Sequence, residues 1–260
     1  MEACHFLNLS EVEKKHWYFA ARRQFIEDLI YRYIGFHKKE PRLKILDVGC
    51  GTGGTTNFLT RFGTVTALEP SEIAIGLLKT NYPHLNAIKG GVEDMDALLD
   101  DECFDLAILL GVLCHKGVEN SSNALKNVCR KLKMGGWLIW HESAYPFLRH
   151  KNDELSHGAR RFLPSQMRNL ICESGFRIRF KTHVGFFAFP LACILALLYK
   201  MKAGAGDNGS SVEEISIDRK VFPKHLNAML YHMIRLEMRC ALNIFPTPIG
   251  VSYIVMAQKI

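Results

Sequence analysis

The segment that decides the fold is ILDVGCGTGG at residues 45–54. Its first four residues complete an apolar run that begins at Leu43, and the glycines follow at once. A turn rich in glycine directly after a buried strand lets a ligand approach the backbone, because no Cβ stands in the way. The segment therefore predicts a strand, a tight turn and a helix that together hold a ligand.

The glycine spacing by itself fits two kinds of ligand. Gly49-x-Gly51-x-x-Gly54 with Glu69 further on resembles the fingerprint of dinucleotide sites, in which an acid binds the ribose hydroxyls. Asp47 favours the other ligand, because a carboxylate two residues before the first glycine would repel a pyrophosphate. The same carboxylate suits the ammonium and the sulfonium of S-adenosylmethionine (SAM). We expect SAM, and an NAD-binding oxidoreductase is the alternative.

Short apolar runs alternate with helical segments along most of the chain. The runs predict strands at 43–48, 64–68, 86–89, 104–110, 137–141, 176–184 and 250–258. The predicted helices between them lie at 53–61, 71–80, 94–99, 120–132 and 164–174. Apolar strands separated by helices indicate a parallel sheet that is covered on both faces. We expect one doubly wound α/β domain over 1–260, with a seven-stranded, mostly parallel sheet and an antiparallel last strand.

Two further regions predict a helical cover for this sheet. Residues 10–36 have the periodicity of an amphipathic helix or helix pair, so residues 1–40 are expected to form a lid. Residues 184–201 are nearly all apolar, but a proline interrupts them and their length barely reaches that of a bilayer span. We favour a buried or interfacial helix over a transmembrane one. With the amphipathic helix predicted at 222–245, the insertion 185–248 is expected to cap an apolar acceptor or to contact a membrane peripherally.

The composition narrows the compartment and the partners. Lys plus Arg number 33 and Asp plus Glu number 26, which gives a formal charge of +7. This surplus suits RNA or an anionic membrane, and it suits an ordinary basic enzyme equally well. The eight cysteines contain no C-x-x-C pair, which is typical of reduced thiols rather than of disulfides or a zinc site. No secretory signal is visible, so we expect a cytoplasmic protein, with membrane association as the variant, and no metal.

Several segments resemble the successive motifs of the class I SAM-dependent methyltransferases. They are ILDVGCGTGG at 45–54, LEPS at 68–71, FDLAILLGVLCH at 104–115 and LKMGGWLIWHE at 132–142. The resemblance covers roughly residues 43–184 and 250–258, and it implies a Rossmann-like fold, SAM as cofactor and S-adenosylhomocysteine as product. HWYFAARR at 16–23 and DELSHGARRFL at 153–163 are similar to segments of a bacterial subgroup associated with polysaccharide, lipid-linked or secondary-metabolite biosynthesis.

The resemblance also implies which residues line the cofactor. These are Asp47, Gly49, Cys50, Gly51, Glu69, Pro70, Val92, Glu93, Leu110 and Gly111. The first four should face the methionine part, the next four the ribose and adenine, and the last two the sulfonium. Where the family often has an acid for the adenine amino group this chain has Gly91, so Glu93 or a backbone carbonyl is expected to substitute. Trp17 and Arg22 are interpreted either as lid residues over SAM or as a packed tryptophan and a surface arginine.

The candidates for chemistry on the acceptor are His115, His141, Tyr145 and His157. Methyl transfer is an in-line displacement that depends on close positioning, and a base helps when the acceptor is a hydroxyl. His115 is the first choice, because it follows the fourth strand and the carboxyl ends of strands face the ligand. Its alternative role is to shape the site. His157, with Arg160 and Arg161, is expected either to bind an acidic acceptor or to belong to a solvated basic loop.

The expected acceptor is a small molecule, a hydrophobic metabolite or a lipid-linked glycan, methylated on oxygen. Nucleic acid is disfavoured, because Cys114 lacks the Pro-Cys or Thr-Cys context of cytosine methylation. The run GVLCH at 111–115 also differs from the Asn/Asp-Pro-Pro-aromatic run expected for methylation of adenine. A nucleic-acid methyltransferase, an NAD-binding oxidoreductase and a non-catalytic SAM-fold protein are the alternatives.

Overall fold

The computed structural model describes residues 3–35, 42–150, 153, 158–204 and 221–260. The strands in these regions are β1 (Leu43–Val48), β2 (Gly63–Glu69), β3 (Asn86–Lys89), β4 (Phe104–Leu110), β5 (Leu132–Ser143), β6 (Phe176–Val184) and β7 (Ser252–Lys259). They form one seven-stranded sheet in the order β3-β2-β1-β4-β5-β7-β6.

Helices cover both faces of this sheet. They are α1 (Ala3–Lys15), α2 (Trp17–Leu29) with a π-helical turn at Ile30–Ile34, α3 (Gly54–Leu59), α4 (Glu72–Asn81), α5 (Met95–Leu98), α6 (Ser121–Lys131), a 3₁₀ turn at Pro146–Leu148, α7 (Pro164–Glu173), α8 (Phe189–Gly204) and α9 (Lys224–Asn243).

The strand pairing confirms the predicted fold class. β1 pairs in parallel with both β2 and β4, while β7 runs antiparallel to β5 and β6. The side chains of Ile45 and Leu46 are fully buried, as expected for a central parallel strand. The strand order reverses at β1, and in such sheets ligands bind beyond the carboxyl ends of the strands at this point.

The chain before β1 forms a pair of helices, α1 and α2, which is one of the two predicted alternatives. The helical conformation is interrupted between α1 and α2 at His16, whose Nδ1 accepts a hydrogen bond from the Tyr18 backbone N–H at 3.2 Å. Phe25 and Ile26 of α2 are buried in the core cluster on one face of the sheet, together with Ile108 of β4. The helix α2 is therefore a fixed part of the core.

The insertion before β7 consists of α8 and α9, which have different surroundings. The helix α9 lies against α2, and Ile234 and Met238 enter the same core cluster. The helix α8 begins at Phe189 and carries Pro190 in its first turn, where the missing backbone N–H costs nothing. Among the described residues no helix is both long and apolar enough to cross a membrane.

A buried ion pair joins the insertion to α2. The guanidinium of Arg235 donates to the Asp28 carboxylate at 2.8 Å, and Arg235 is almost completely buried. The Asp28→Ala variant would leave this cation buried without its carboxylate, so we expect a loss of about 2 kcal/mol in the free energy of unfolding. The control is Glu11→Ala, which removes an exposed pair with Lys14 and should cost less than about 0.5 kcal/mol. Urea denaturation measures both variants, and equal losses would contradict the importance of the buried pair.

Candidate functional site

A cavity of about 550 Å³ lies beyond the carboxyl ends of β1, β2 and β4. Its size is within the usual range for a site that holds a small organic ligand. Its wall includes every residue expected to line the cofactor, and also Arg22 and His115. The helices α1 and α2 close one side with Phe6, Leu9, Glu13 and Phe19.

The glycine turn after β1 leaves open space where side chains would otherwise stand. Gly51 has a φ of +57° and Gly111, after β4, has a φ of +71°. A Cβ built on either residue would have no atom within 4 Å, and both residues line the cavity. A side chain at either position would therefore project into the space that a ligand requires. This arrangement fits a cofactor that lies against the backbone.

Asp47 is a buried carboxyl group at the end of β1. It accepts a hydrogen bond from the Thr56 hydroxyl at 2.6 Å. Burial and, to a smaller extent, the nearby carboxylates of Glu13 and Glu69 raise the pKa of Asp47 to about 7, against the opposing effects of the Thr56 hydrogen bond and Arg22. A positively charged ligand group would offset this mutual repulsion.

Glu69, at the end of β2, holds the glycine turn in place. Its carboxylate accepts from the backbone N–H of Gly51 at 2.9 Å and from that of Ser71 at 3.0 Å. Burial raises the pKa of Glu69, and these two hydrogen bonds oppose the rise. Each oxygen has one protein donor and retains acceptor capacity toward ribose hydroxyls.

Glu13 of α1 is a wall residue that the sequence analysis missed. Its buried carboxylate accepts from the hydroxyls of Thr52 at 2.9 Å and Thr55 at 3.4 Å, and so ties α1 to the glycine turn. Nothing in the sequence spacing signals this contact, because it joins positions 39 and 42 residues apart. Asp94 was missed as well, and it accepts from the Gly91 backbone N–H at 2.8 Å on the same wall.

The cavity wall is acidic in a chain that is basic as a whole. Its acids are Glu13, Asp47, Glu69, Glu93 and Asp94. Among the described wall residues, the Lys and Arg side chains are two, Arg22 and Lys116. This charge balance disfavours a pyrophosphate or a nucleic-acid backbone and suits a cation.

Arg22 and Trp17, both considered for the lid, have different surroundings. Arg22 lies on the cavity wall, and its Nε is buried without a hydrogen-bond partner among the described residues. The positive charge of Arg22 on the wall suits a carboxylate on the ligand. Trp17 lies outside the wall and is buried in the core cluster with Phe25. For Trp17 the interpretation as a packed side chain replaces that of a lid residue.

The four candidates for acceptor chemistry lie in different parts of the structure. His115 lies on the cavity wall, and its backbone bridges to Gly158. His141 lies outside the wall, fully enclosed between the hydroxyls of Tyr18 at 3.4 Å and Ser252 at 2.8 Å. Burial lowers the pKa of His141 to about 3, which keeps the ring neutral. The prediction that His141 reaches the acceptor is corrected, because its side chain is buried and lies outside the described wall of the cavity.

Tyr145 is also directed away from the cavity. Its hydroxyl lies 2.9 Å from Nε2 of His183, and the two rings are stacked with centroids 5.7 Å apart. Since Nδ1 of His183 lies 3.0 Å from the Thr247 carbonyl, it carries the proton and Nε2 accepts from Tyr145. His157 lies outside the described residues. The insertion 185–248, expected as a cap, contributes no described residue to the cavity wall.

Glu142 supports the loop that carries Gly111 and His115. Its Oε1 accepts from the backbone N–H groups of Val112 at 3.0 Å and Leu113 at 2.8 Å. Burial raises the pKa of Glu142 to about 7, against the effect of these donors. The carboxyl group is therefore a structural support beneath the cavity and not part of its wall.

Comparisons with known proteins agree with this geometry. Residues 46–140 match a family model described as a methyltransferase domain. A demethylmenaquinone methyltransferase of Tropheryma whipplei is 33% identical over 104 residues, which are 40% of this chain and 43% of that protein. A ubiquinone biosynthesis O-methyltransferase of Rickettsia conorii is 33% identical over 103 residues, covering 38% of this chain and 34% of that protein. The matched segment thus spans less than half of either relative.

The solved structures extend the similarity of fold beyond that segment. A SAM-dependent methyltransferase from Thermotoga maritima, described as a possible histamine N-methyltransferase, matches with a TM-score of 0.55. The match covers 100% of both chains at 19% sequence identity. At this identity the likeness concerns the fold alone, and it includes the helices that flank the sheet.

The contact between α1 and the glycine turn predicts a role for Glu13 in SAM binding. The Glu13→Gln variant retains one acceptor oxygen toward the threonine hydroxyls and nearly the same shape, but loses the negative charge near the ligand. We expect the Kd for SAM to rise about tenfold, which corresponds to ~1.4 kcal/mol, as measured by calorimetric titration. Glu11→Gln is the control, because Glu11 is an exposed acid on the same helix. Equal effects of the two variants, or binding of NAD in place of SAM, would contradict this assignment.

The raised pKa of Glu142 predicts a pH dependence of stability. A carboxyl group with a folded-state pKa above its unfolded value stabilises the fold while protonated and loses this contribution as pH rises. Between pH 5 and pH 8 the free energy of unfolding should therefore fall, by on the order of 2 kcal/mol for this group. Glu142→Gln should reduce that slope in urea denaturation at several pH values. Parallel pH profiles for the two proteins would show that Glu142 does not titrate in this range.

Proposed function

We propose that this chain is a class I SAM-dependent methyltransferase and that it transfers the methyl group of SAM to an oxygen of a small apolar acceptor. The observation that carries the proposal is a single cavity whose wall contains both the acid-lined glycine turn and His115. The first feature suits the cofactor and the second suits a hydroxyl that must lose its proton.

The residues of the glycine turn fit SAM group by group. When bound, SAM supplies an electrophilic methyl group on a sulfonium. Asp47 and Glu13 provide negative potential for the cationic groups, and Glu69 accepts hydrogen bonds from the ribose. Arg22, a cation on the cavity wall, suits the carboxylate of the methionine part. The bare backbone at Gly51 allows these contacts at short range.

Apolar side chains on the same wall favour a hydrophobic acceptor. They are Phe6, Leu9, Phe19, Val112 and Val118. Two relatives are named a demethylmenaquinone methyltransferase and a ubiquinone biosynthesis O-methyltransferase, which supports an acceptor of the quinone or quinol class here. A phenol or quinol combines an apolar ring with the hydroxyl that O-methylation requires. A lipid-linked glycan is the second candidate of this kind.

His115 is the proposed base in the transfer. With SAM and the acceptor bound, His115 would accept the proton of the acceptor hydroxyl, and SAM would supply the methyl group to that oxygen. The backbone of the loop is fixed on one side by Glu142 and on the other by the bridge to Gly158. Positioning of the acceptor against the methyl group supplies the remainder of the acceleration.

A role on nucleic acid has less support. The five acids on the wall would repel a phosphate backbone, and Cys114 does not serve as a nucleophile in this setting. Burial raises the pKa of the Cys114 thiol, as does the neighbouring Glu142, so the thiolate is disfavoured.

The proposed base predicts a selective kinetic effect. His115→Gln should lower kcat about 100-fold or more with a phenolic or quinol acceptor, while the Kd for SAM stays unchanged. The readout is S-adenosylhomocysteine release over a panel of soluble phenols and quinols. His232→Gln is the matched control, because His232 is an exposed histidine of α9 away from the cavity.

Two outcomes would overturn the proposal. Methylation of RNA that weakens steeply with added salt, without turnover of any phenol or quinol, would indicate a nucleic-acid substrate. Binding of SAM without turnover of any acceptor class would favour the non-catalytic alternative.

A further inference from the structure

The outer side of α8 is an exposed aliphatic surface. Five of its residues are between 44% and 63% exposed, namely Leu191, Ile194, Leu197, Leu198 and Met201. At 3.6 residues per turn they lie within an arc of about 120° on the helix. We call them the aliphatic face of α8. A contiguous apolar patch of this kind on a surface marks an interaction site.

The helix is fixed so that this face points away from the protein. Phe189, at the start of α8, packs against the rings of Tyr145 and Phe147, with centroids 5.8 and 6.3 Å apart. Ala196, on the opposite side of the helix, is buried. The segment that leads into α8 is held by Glu237 of α9, whose carboxylate accepts from the backbone N–H of Gly185 at 2.7 Å. The exposure of the aliphatic face therefore follows from how the helix is attached.

Two phenylalanines extend the apolar surface at the entry to the helix. Phe186 and Phe187 are 41% and 55% exposed. The Phe186 backbone N–H donates to Glu237 at 3.0 Å, so this entry shares the anchor of α8. Aromatic side chains at the end of an apolar helix are common at the boundary between lipid and water.

The sequence around α8 has an excess of positive charge, which favours an anionic partner. The sequence contains no acidic residue between Glu173 and Asp207. In the same interval it contains five basic residues, namely Arg177, Arg179, Lys181, Lys200 and Lys202. Lys200 is exposed on α8 beside the aliphatic face. A second copy of this chain would bring the same positive charge, whereas anionic lipid headgroups would complement it.

We propose that the aliphatic face of α8, with Phe186 and Phe187, docks the protein onto the surface of anionic lipid bilayers. The 16 residues of α8 form a helix about 24 Å long, which is too short to span a bilayer but suits a position parallel to its surface. The apolar side chains enter the headgroup region and Lys200 pairs with phosphate groups. This surface contributes no residue to the cavity wall, so the proposal does not depend on the proposed methyl transfer.

Vesicle sedimentation tests the docking directly, without SAM or an acceptor. The wild-type chain should sediment with vesicles of phosphatidylcholine and phosphatidylglycerol, and much less with vesicles of phosphatidylcholine alone. The double variant I194S/L198S should weaken binding at least about tenfold, and K200E should weaken it selectively on anionic vesicles. Met134→Ser is the matched control, because Met134 is an equally exposed apolar residue at the start of β5.

Each outcome separates this proposal from the proposed function. Unchanged SAM affinity in I194S/L198S shows that the variant is folded, so a loss of vesicle binding is then attributable to the aliphatic face. Equal binding of wild type and I194S/L198S, or no binding to anionic vesicles, would overturn the proposal. A wild-type dimer that I194S/L198S dissociates, in the absence of vesicle binding, would identify a second copy as the partner. Vesicle binding without methyl transfer to any acceptor would count against the proposed function alone.

Discussion

The site depends on one buried carboxylate, that of Glu69, and on the two backbone N–H groups that it accepts from. A carboxylate is costly to bury unless hydrogen bonds compensate it, and the donors here are Gly51 in the turn after β1 and Ser71 at the start of α4. The parallel register of β1 and β2, with Val48 opposite Leu68, places Glu69 beside that turn. One side chain thereby fixes the cofactor turn and the start of the next helix.

The sequence predicted those parts of the site that are local in the chain. The turn after β1 and the acid at the end of β2 follow from spacing alone, and the predicted strands at 43–48 and 176–184 agree with β1 and β6 to the residue. Glu13 was missed, because its contact with the turn depends on how α1 folds back over the sheet. His141 was assigned wrongly for the same kind of reason, since its enclosure comes from Ser252, 111 residues away.

The composition of the insertion predicts its apolar helix but not the orientation of that helix. Its apolar residues predicted a helix correctly, but α8 is apolar all round, so periodicity could not indicate which side faces the protein. That choice is made by Phe189, which packs on rings that follow β5. The apolar composition of the insertion had predicted a cap over the acceptor. The described wall of the cavity is instead closed by α1 and α2.

The contact between α1 and the glycine turn has a consequence for how the site can vary. Phe6, Leu9 and Glu13 lie on one wall of the cavity, and Glu13 accepts hydrogen bonds from the hydroxyls of Thr52 and Thr55. Because α1 belongs to no strand, substitutions on its inner side alter the ligand site and leave the pairing of the seven-stranded sheet intact. Ligand preference is therefore free to diverge at this helix while the fold stays the same.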